Sequence, residues 1–170
     1  MIKRISISIL LLIAPLSAFS QSCPTISVCF TPGQNCTAMI VDLINHADKS
    51  VLVQAYSFTS APIAKAVVKA KKRGLDVRVI LDKSQRKAKY SSATFLRNQG
   101  VPTWIDYKPT IAHNKVMIID GELVITGSFN FTKAAQKRNA ENVLVIRDSR
   151  IANKYKQNWI RRVNVSERSL

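Results

Sequence analysis

Three residues in the stretch IAHNKVMIID, His113, Lys115 and Asp120, stand in the spacing H-x-K-x-x-x-x-D, and Gly127-Ser128-Phe129-Asn130 follows as G-S-x-N. In an extended segment, positions two apart point to the same face, so an Ala112–Ile119 strand would set the His113 imidazole beside the Lys115 ammonium. That pair suits a phosphodiester. The ammonium neutralises non-bridging oxygens, while the imidazole attacks phosphorus or moves protons. The Asn130 amide and the Ser128 hydroxyl supply further donors where charge develops. Glu141 is a candidate partner for the second ring nitrogen of His113, fixing its tautomer. Asp120 completes the catalytic set, although its place at a turn suits bracing a hairpin better than touching substrate. Each residue alone reads equally well as an ordinary strand or turn residue; the spacing of the whole set is what points to a site.

The elements that position these residues follow from periodicity. Strands are expected at Val51–Tyr56, Val77–Leu81, Val101–Ile105, Lys115–Ile119, Glu122–Thr126 and Val143–Ile146, with Asp120-Gly121 turning a hairpin. Helices are expected at Thr37–Ala47, from Ala61-Pro62 to Gly74, at Ser92–Asn98 and Phe131–Gln136, and at Ile151–Ile160. Alternation of the two predicts a single α/β domain, a mixed β-sheet flanked by helices on both faces. At 170 residues there is room for one ordinary domain, and 46% hydrophobic content with five Gly and six Pro excludes disordered and collagen-like chains.

Charge is the unusual part of the composition. Lys and Arg number 26 against 10 Asp and Glu, a net +16, which favours a polyanionic partner such as nucleic acid or an anionic membrane surface. Ten of the cations lie between Lys65 and Lys89, and part of the 65–73 helix simply solvates its outer face. Lys83, Arg86, Lys87 and Lys89 read as a mobile basic loop after a strand, and Lys133, Lys137 and Arg138 follow G-S-x-N closely. These seven are the candidate substrate-binding residues, a distribution that suits gripping a backbone without reading bases. Tyr107 and Phe58 are open to two readings, base stacking or core.

Residues 1–20 begin basic (Lys3, Arg4), continue apolar from Ile5 to Ala14 and end in small residues at Ala18 and Ser20, the pattern of a cleaved signal peptide. A periplasmic or secreted protein is expected, with residues 21–170 as the working domain. In that compartment Cys23, Cys29 and Cys36 should give one local disulfide and one spare thiol, the pair left open by sequence. No zinc pattern or dense carboxylate group is present, so neither a metal nor an organic cofactor is expected.

With these motifs in view, the chain resembles the phospholipase D superfamily, marked by HxKxxxxD and GSxN, and within it the short bacterial endonucleases that carry one motif. The likeness extends from about Phe30 to the end and includes AYSFT (55–59), AKKRGLDVRVILD (70–82) and GSFNFTKAAQKRNAEN (127–142). It implies the fold of that superfamily and metal-independent phosphodiester hydrolysis through a phosphohistidine, with a second histidine protonating the leaving oxygen. The only other histidine, His46, lies on the polar side of a helix and lacks a neighbouring lysine. The resemblance therefore implies a homodimer in which each copy gives His113, Lys115 and Asn130 to one shared site. It leaves three readings: cleavage of DNA, with RNA an open second substrate; phospholipase D-type hydrolysis of phosphatidylcholine or cardiolipin; and non-catalytic nucleic-acid binding. The polar loop after Lys83 and the retained motif favour the first, with no stable membrane insertion once the leader is removed.

Overall fold

The computed structural model describes residues 23–88 and 91–169. The expected signal peptide and Lys89 lie outside them. The described chain runs β1 (Thr25–Thr31), α1 (Cys36–Asn45), β2 (Ser50–Ala55), α2 (Ala61–Lys72), β3 (Asp76–Asp82), a 3₁₀ turn (Lys83–Arg86), α3 (Ala93–Asn98), β4 (Thr103–Asp106), β5 (Lys115–Ile119), β6 (Leu123–Gly127), α4 (Lys133–Lys137), β7 (Glu141–Arg147), α5 (Ser149–Val163) and β8 (Glu167–Arg168). Among the described residues the strands form one mixed sheet in the order β1-β7-β6-β5-β2-β3-β4-β8. The β2–β3 and β3–β4 pairs are parallel and the others antiparallel.

Both faces of the central strands are buried, which explains why they read as continuous apolar runs. Val51 and Val53 of β2 face a core completed by Ile40 and Ile44 of α1 and Ile63 and Val67 of α2. Leu52, Ile80, Val116, Ile118 and Val124 face the other way and are covered by α5 through Ala152 and Trp159. Trp159 is 1% exposed and its Nε1–H donates to the Val53 carbonyl at 2.9 Å, so burying this large ring leaves no polar atom unpaired. Asp148 caps α5 by accepting from the amides of Arg150 and Ile151, and Arg162 holds the buried Asp106 through two bonds of 2.7 and 2.8 Å. No helix among the described residues is long and apolar enough to cross a membrane.

Several expectations need correction. Edge strands β1 and β8 were not expected. The segment after Lys83 is not simply a loop: residues 83–86 form the 3₁₀ turn, capped by Asp82 and pinned by Gln85, whose side chain accepts from the Phe58 amide at 3.2 Å. Arg73 is structural, donating to the carbonyls of Ile44 and Ala47 just past α1. Phe58 is fully buried, packed edge-on against Phe131, and so stacks on no base.

Cys29 and Cys36 form the disulfide, leaving Cys23 free and exposed. The bridge ties edge strand β1 to the first turn of α1. Closing so short a loop restricts the unfolded chain, and the paired substitution Cys29→Ser with Cys36→Ser is expected to cost about 2–3 kcal/mol by loop entropy. Urea denaturation of the oxidised wild type and the double variant measures this.

Candidate active site

The site lies at the edge of the sheet where β2 ends and β5 begins, and it depends on how residues 112–115 are held. The Ala112 amide donates to Asp82 Oδ2 at 2.7 Å. The Asn114 carbonyl accepts from the Tyr56 amide at 2.7 Å, and its side chain accepts from the buried Gln54 at 3.0 Å. His113 is thus fixed through both its chain neighbours while its own side chain stays exposed. Burial works against the charge on Asp82. The bonds from Ser84 and Ala112, with Lys83 nearby, outweigh burial and hold the carboxyl below its usual value.

The expectation of an extended Ala112–Ile119 is corrected in detail, because β5 starts only at Lys115. His113 and Lys115 nevertheless line one open concavity of about 500 Å³ with Gly127, Ser128, Asn130 and Glu141. Lys115 is 7% exposed, and its Nζ donates to the His113 carbonyl at 2.9 Å. Burial dominates its titration and pulls the ammonium below its usual value of 10.5, with Glu141 acting in the opposite sense.

The wall opposite is built by β6 and β7. Gly127 has φ 137°, and a Cβ there would collide with the Asn142 carbonyl oxygen, so only glycine lets the chain turn this closely past β7. Ser128 and Glu141 correct the sequence reading. Ser128 Oγ donates to Glu141 Oε2 at 2.6 Å and accepts from the Asn142 amide at 3.0 Å, while Asn139 Nδ2 donates to Glu141 Oε1 at 2.8 Å. Within the chain Glu141 is therefore held by Ser128 and Asn139, not by His113, and the serine hydroxyl proton is committed to Glu141. Asn130 Oδ1 is buried without a hydrogen-bond partner, an acceptor left open in the site.

Asp120 stands at the far end of β5, roughly 15 Å from Lys115 at the usual strand rise. It does not reach the concavity and belongs with the braces, not the catalytic groups. Its carboxylate accepts the amides of Asp48, Lys49 and Ser50 at 3.0, 2.7 and 2.8 Å, tying the β5–β6 hairpin to the start of β2. Burial acts to raise its pKa, but the three amides and Lys49 bring it below the usual 3.8. A lowered pKa gives stability that is present above the unfolded-state value and lost as pH falls through the folded-state value. Asp120 also has φ 56°, which Asn tolerates. Asp120→Asn is thus expected to lose about 1–2 kcal/mol at pH 7, and the difference from wild type should shrink below pH 3.8 in urea titrations at stepped pH.

Of the substrate-binding candidates among the described residues, none lines the His113 concavity. Lys83 donates to the Pro109 carbonyl and Arg86 to the Tyr107 hydroxyl, bracing the chain that leads to His113. Lys87 and Arg138 are exposed, and Lys133 and Lys137 line a separate hollow beside α1 and α2. His46 is on the surface, its Nδ1 2.9 Å from the Asp42 carbonyl oxygen. No group of three or more His, Cys, Asp or Glu side chains suited to a metal occurs among the described residues.

One residue absent from the sequence reading of the site, Tyr56, lies against both central groups. Its ring centroid is 4.6 Å from that of His113, and Lys115 Nζ is 5.2 Å from the same ring. In the sequence Tyr56 appeared only as the end of the expected strand Val51–Tyr56 and within the AYSFT stretch of the likeness, with no role assigned; β2 in fact ends at Ala55.

Comparison with known proteins shows the family and the fold. The profile of the family described as cardiolipin synthase, PLD-like domain, matches residues 40–162. A protein of Rickettsia felis named phospholipase D is 49% identical over 137 residues, 81% of this chain and 68% of that one. Nuc, a phospholipase D family member from Salmonella typhimurium, superposes with a TM-score of 0.82 at 37% identity, over 86% of this chain and 98% of its own. NucT from Helicobacter pylori gives a TM-score of 0.79 at 26% identity, over 86% and 99%.

Proposed function

Since the chain belongs to the phospholipase D superfamily and is therefore a hydrolase of phosphodiester bonds, we propose that it is an exported, metal-independent endonuclease without sequence preference, acting on DNA as a homodimer. The observation that carries the reading is the exposed His113 beside the buried, cationic Lys115 in a shallow, open site on a chain of net charge +16. An open site admits a long polymer, and a basic surface concentrates it.

In this mechanism the His113 imidazole of one copy attacks phosphorus, forming an N–P bond. The second copy's His113, as imidazolium, gives its proton to the departing ester oxygen as the P–O bond breaks. That imidazole, now neutral, takes a proton from water, whose oxygen attacks phosphorus and frees the first histidine. Lys115 and the Asn130 amide from each copy bind the non-bridging oxygens and stabilise the charge that grows on them. Glu141, fixed by Ser128 and Asn139, keeps a negative charge near Lys115.

The chain also offers a surface for the second copy. On the sheet face that α5 covers, Ile26, Val28 and Phe30 of β1 extend beyond the helix and are 57%, 46% and 54% exposed. Phe30 pairs with Asn142 and Thr31 with Glu141, so this apolar stripe runs to the end of β7 that carries the site, on the opposite face of the sheet from Glu141. A two-fold arrangement brings like surfaces together and meets the need for two histidines. The Cys29–Cys36 disulfide supports an oxidising compartment, periplasmic or extracellular.

A second reading, phospholipid hydrolysis, is favoured by the name of the Rickettsia relative and by Ile111, an exposed apolar side chain two residues before His113. The test gives purified protein a fluorescent oligonucleotide, then phosphatidylcholine and cardiolipin vesicles, with sedimentation equilibrium on the same sample. Oligonucleotide cleavage by a dimer supports the proposal. Cleavage confined to lipid replaces its substrate, and an active monomer removes the shared site.

A further inference from the structure

We propose that Tyr56 is a positioning residue for the reaction: its ring is the common surface that orients the His113 imidazole and holds the Lys115 ammonium toward the phosphate. The inference rests on the reading of His113 as nucleophile and adds a residue to it.

The starting point is an imbalance in how the two groups are held. The backbone around His113 is fixed by Asp82, Gln54 and the Tyr56 amide, yet the imidazole itself is exposed and, among the described residues, meets the Tyr56 ring. The two rings meet at 4.6 Å with planes tilted by 56°, within the range of favourable aromatic contact. Without that wall the ring is free to turn about its side-chain bonds, and a nucleophile must approach phosphorus along one line. The Lys115 side chain has the complementary problem. It is 7% exposed and so gives up most of its hydration; its ammonium meets the His113 carbonyl and, 5.2 Å away, the tyrosine ring, with Glu141 nearby. The face of an aromatic ring attracts a cation at this range. It restores part of the lost solvation beside the Glu141 carboxylate, without adding a second negative charge to compete with the phosphate.

Tyr56 is placed by the sheet itself. It follows the last residue of β2, and its amide bond to Asn114 continues the β2–β5 ladder one residue past the Ala55–Lys115 pair. The ring is therefore attached rigidly to the segment that it orients. Both contacts are made to the ring itself, so the role requires an aromatic ring and not the hydroxyl.

The test compares wild type with Tyr56→Phe, Tyr56→Leu and Tyr56→Met, using bis(4-nitrophenyl) phosphate, a phosphodiester that is neither nucleic acid nor lipid. Phe should keep kcat within about twofold. Leu and Met should each lose about 10- to 100-fold in kcat with KM within about threefold and thermal midpoints close to wild type; two aliphatic variants guard against one that fails to fold. The groups facing Lys115 are His113 on its own segment, Glu141 on β7 and Tyr56 on β2. Losing the ring face disfavours the ammonium, so the alkaline limb of the rate profile should move to lower pH in Leu and Met and stay in place in Phe. An activity-independent reading comes from proton NMR, because the chain has two histidines and His113→Ala identifies the relevant signals. The His113 ring protons should be displaced by the tyrosine ring current in wild type and Phe, and return to ordinary positions in Leu and Met. Unchanged kcat in Leu, or equal losses in Phe and Leu, would overturn the proposal. Absence of hydrolysis by wild type would count against the phosphodiesterase reading alone, and the NMR displacement would still decide whether Tyr56 orients His113.

Discussion

His113→Ala is expected to lower DNA cleavage by about four orders of magnitude or more, the scale seen when a covalent nucleophile is removed. The loss should appear in kcat, since Lys115 and Asn130, the groups proposed to bind the phosphate, are untouched. Structure should survive, because the imidazole is exposed and its neighbours 112 and 114 are held by bonds that do not involve it. If the dimer shares one site, each His113→Ala homodimer lacks both the attacking and the protonating group. Gel-based cleavage at saturating DNA, with circular dichroism on the same sample, measures both sides of this expectation. A variant that cuts within tenfold of wild type contradicts the assignment of His113.

Lys115→Ala comes next, with an expected loss of about 10²–10³-fold in kcat, comparable to removing a donor that stabilises transition-state charge. The magnitude follows from burial. An exposed lysine beside a phosphate shares its work with water and salt, whereas this ammonium is 7% exposed and acts where water is scarce. Arginine should rescue poorly, because a planar, forked guanidinium does not reproduce a compact ammonium bonded to the His113 carbonyl and set against the Tyr56 ring. The same burial gives the wild type a pH signature. Lys115 must be charged to work, and its pKa lies below the usual 10.5, so activity should fall as pH rises through that lowered value. Single-turnover rates across pH, for wild type and Lys115→Arg, check the sign: a guanidinium stays charged, so any residual activity of the arginine variant should lack this alkaline limb.

What the sequence disclosed and what it withheld follow from the range of the forces involved. The β5–β6 hairpin was legible because Asp120-Gly121 encodes its turn locally, and Asp120 with φ 56° occupies the left-handed conformation that such turns require. The central strands were legible because burial on both faces leaves continuous apolar runs. Strand β1 was not. Its buried residues are only Cys29 and Thr31, while Ile26, Val28 and Phe30 are exposed, and its pairing with β7 lies more than a hundred residues away in sequence. The short β8 likewise exists only through its contact with Trp104 and Ile105 of β4.

The site shows the same division. His113, Lys115, Ser128, Asn130 and Glu141 were marked by spacing and share the concavity, because β5, β6, β7 and the turns between them follow one another closely in the chain. Their partners were not. Glu141 was expected against His113, but Asn139 and Ser128 reach its carboxylate first, a competition between side chains that no spacing records. Tyr56 sits nearly sixty residues before the lysine that it faces, and only the antiparallel register of β2 on β5 brings them together. The basic residues were over-read for a related reason. Charge counts are visible in sequence, but whether a cation faces substrate or braces the fold, as Arg73 and Arg86 do, depends on tertiary contacts.

The most direct test of the central claim is nicking of supercoiled plasmid DNA in excess EDTA by wild type and His113→Ala purified side by side. The account predicts open-circular and linear products from wild type and intact plasmid from the variant. Intact plasmid in both lanes, or nicking by both, would contradict it.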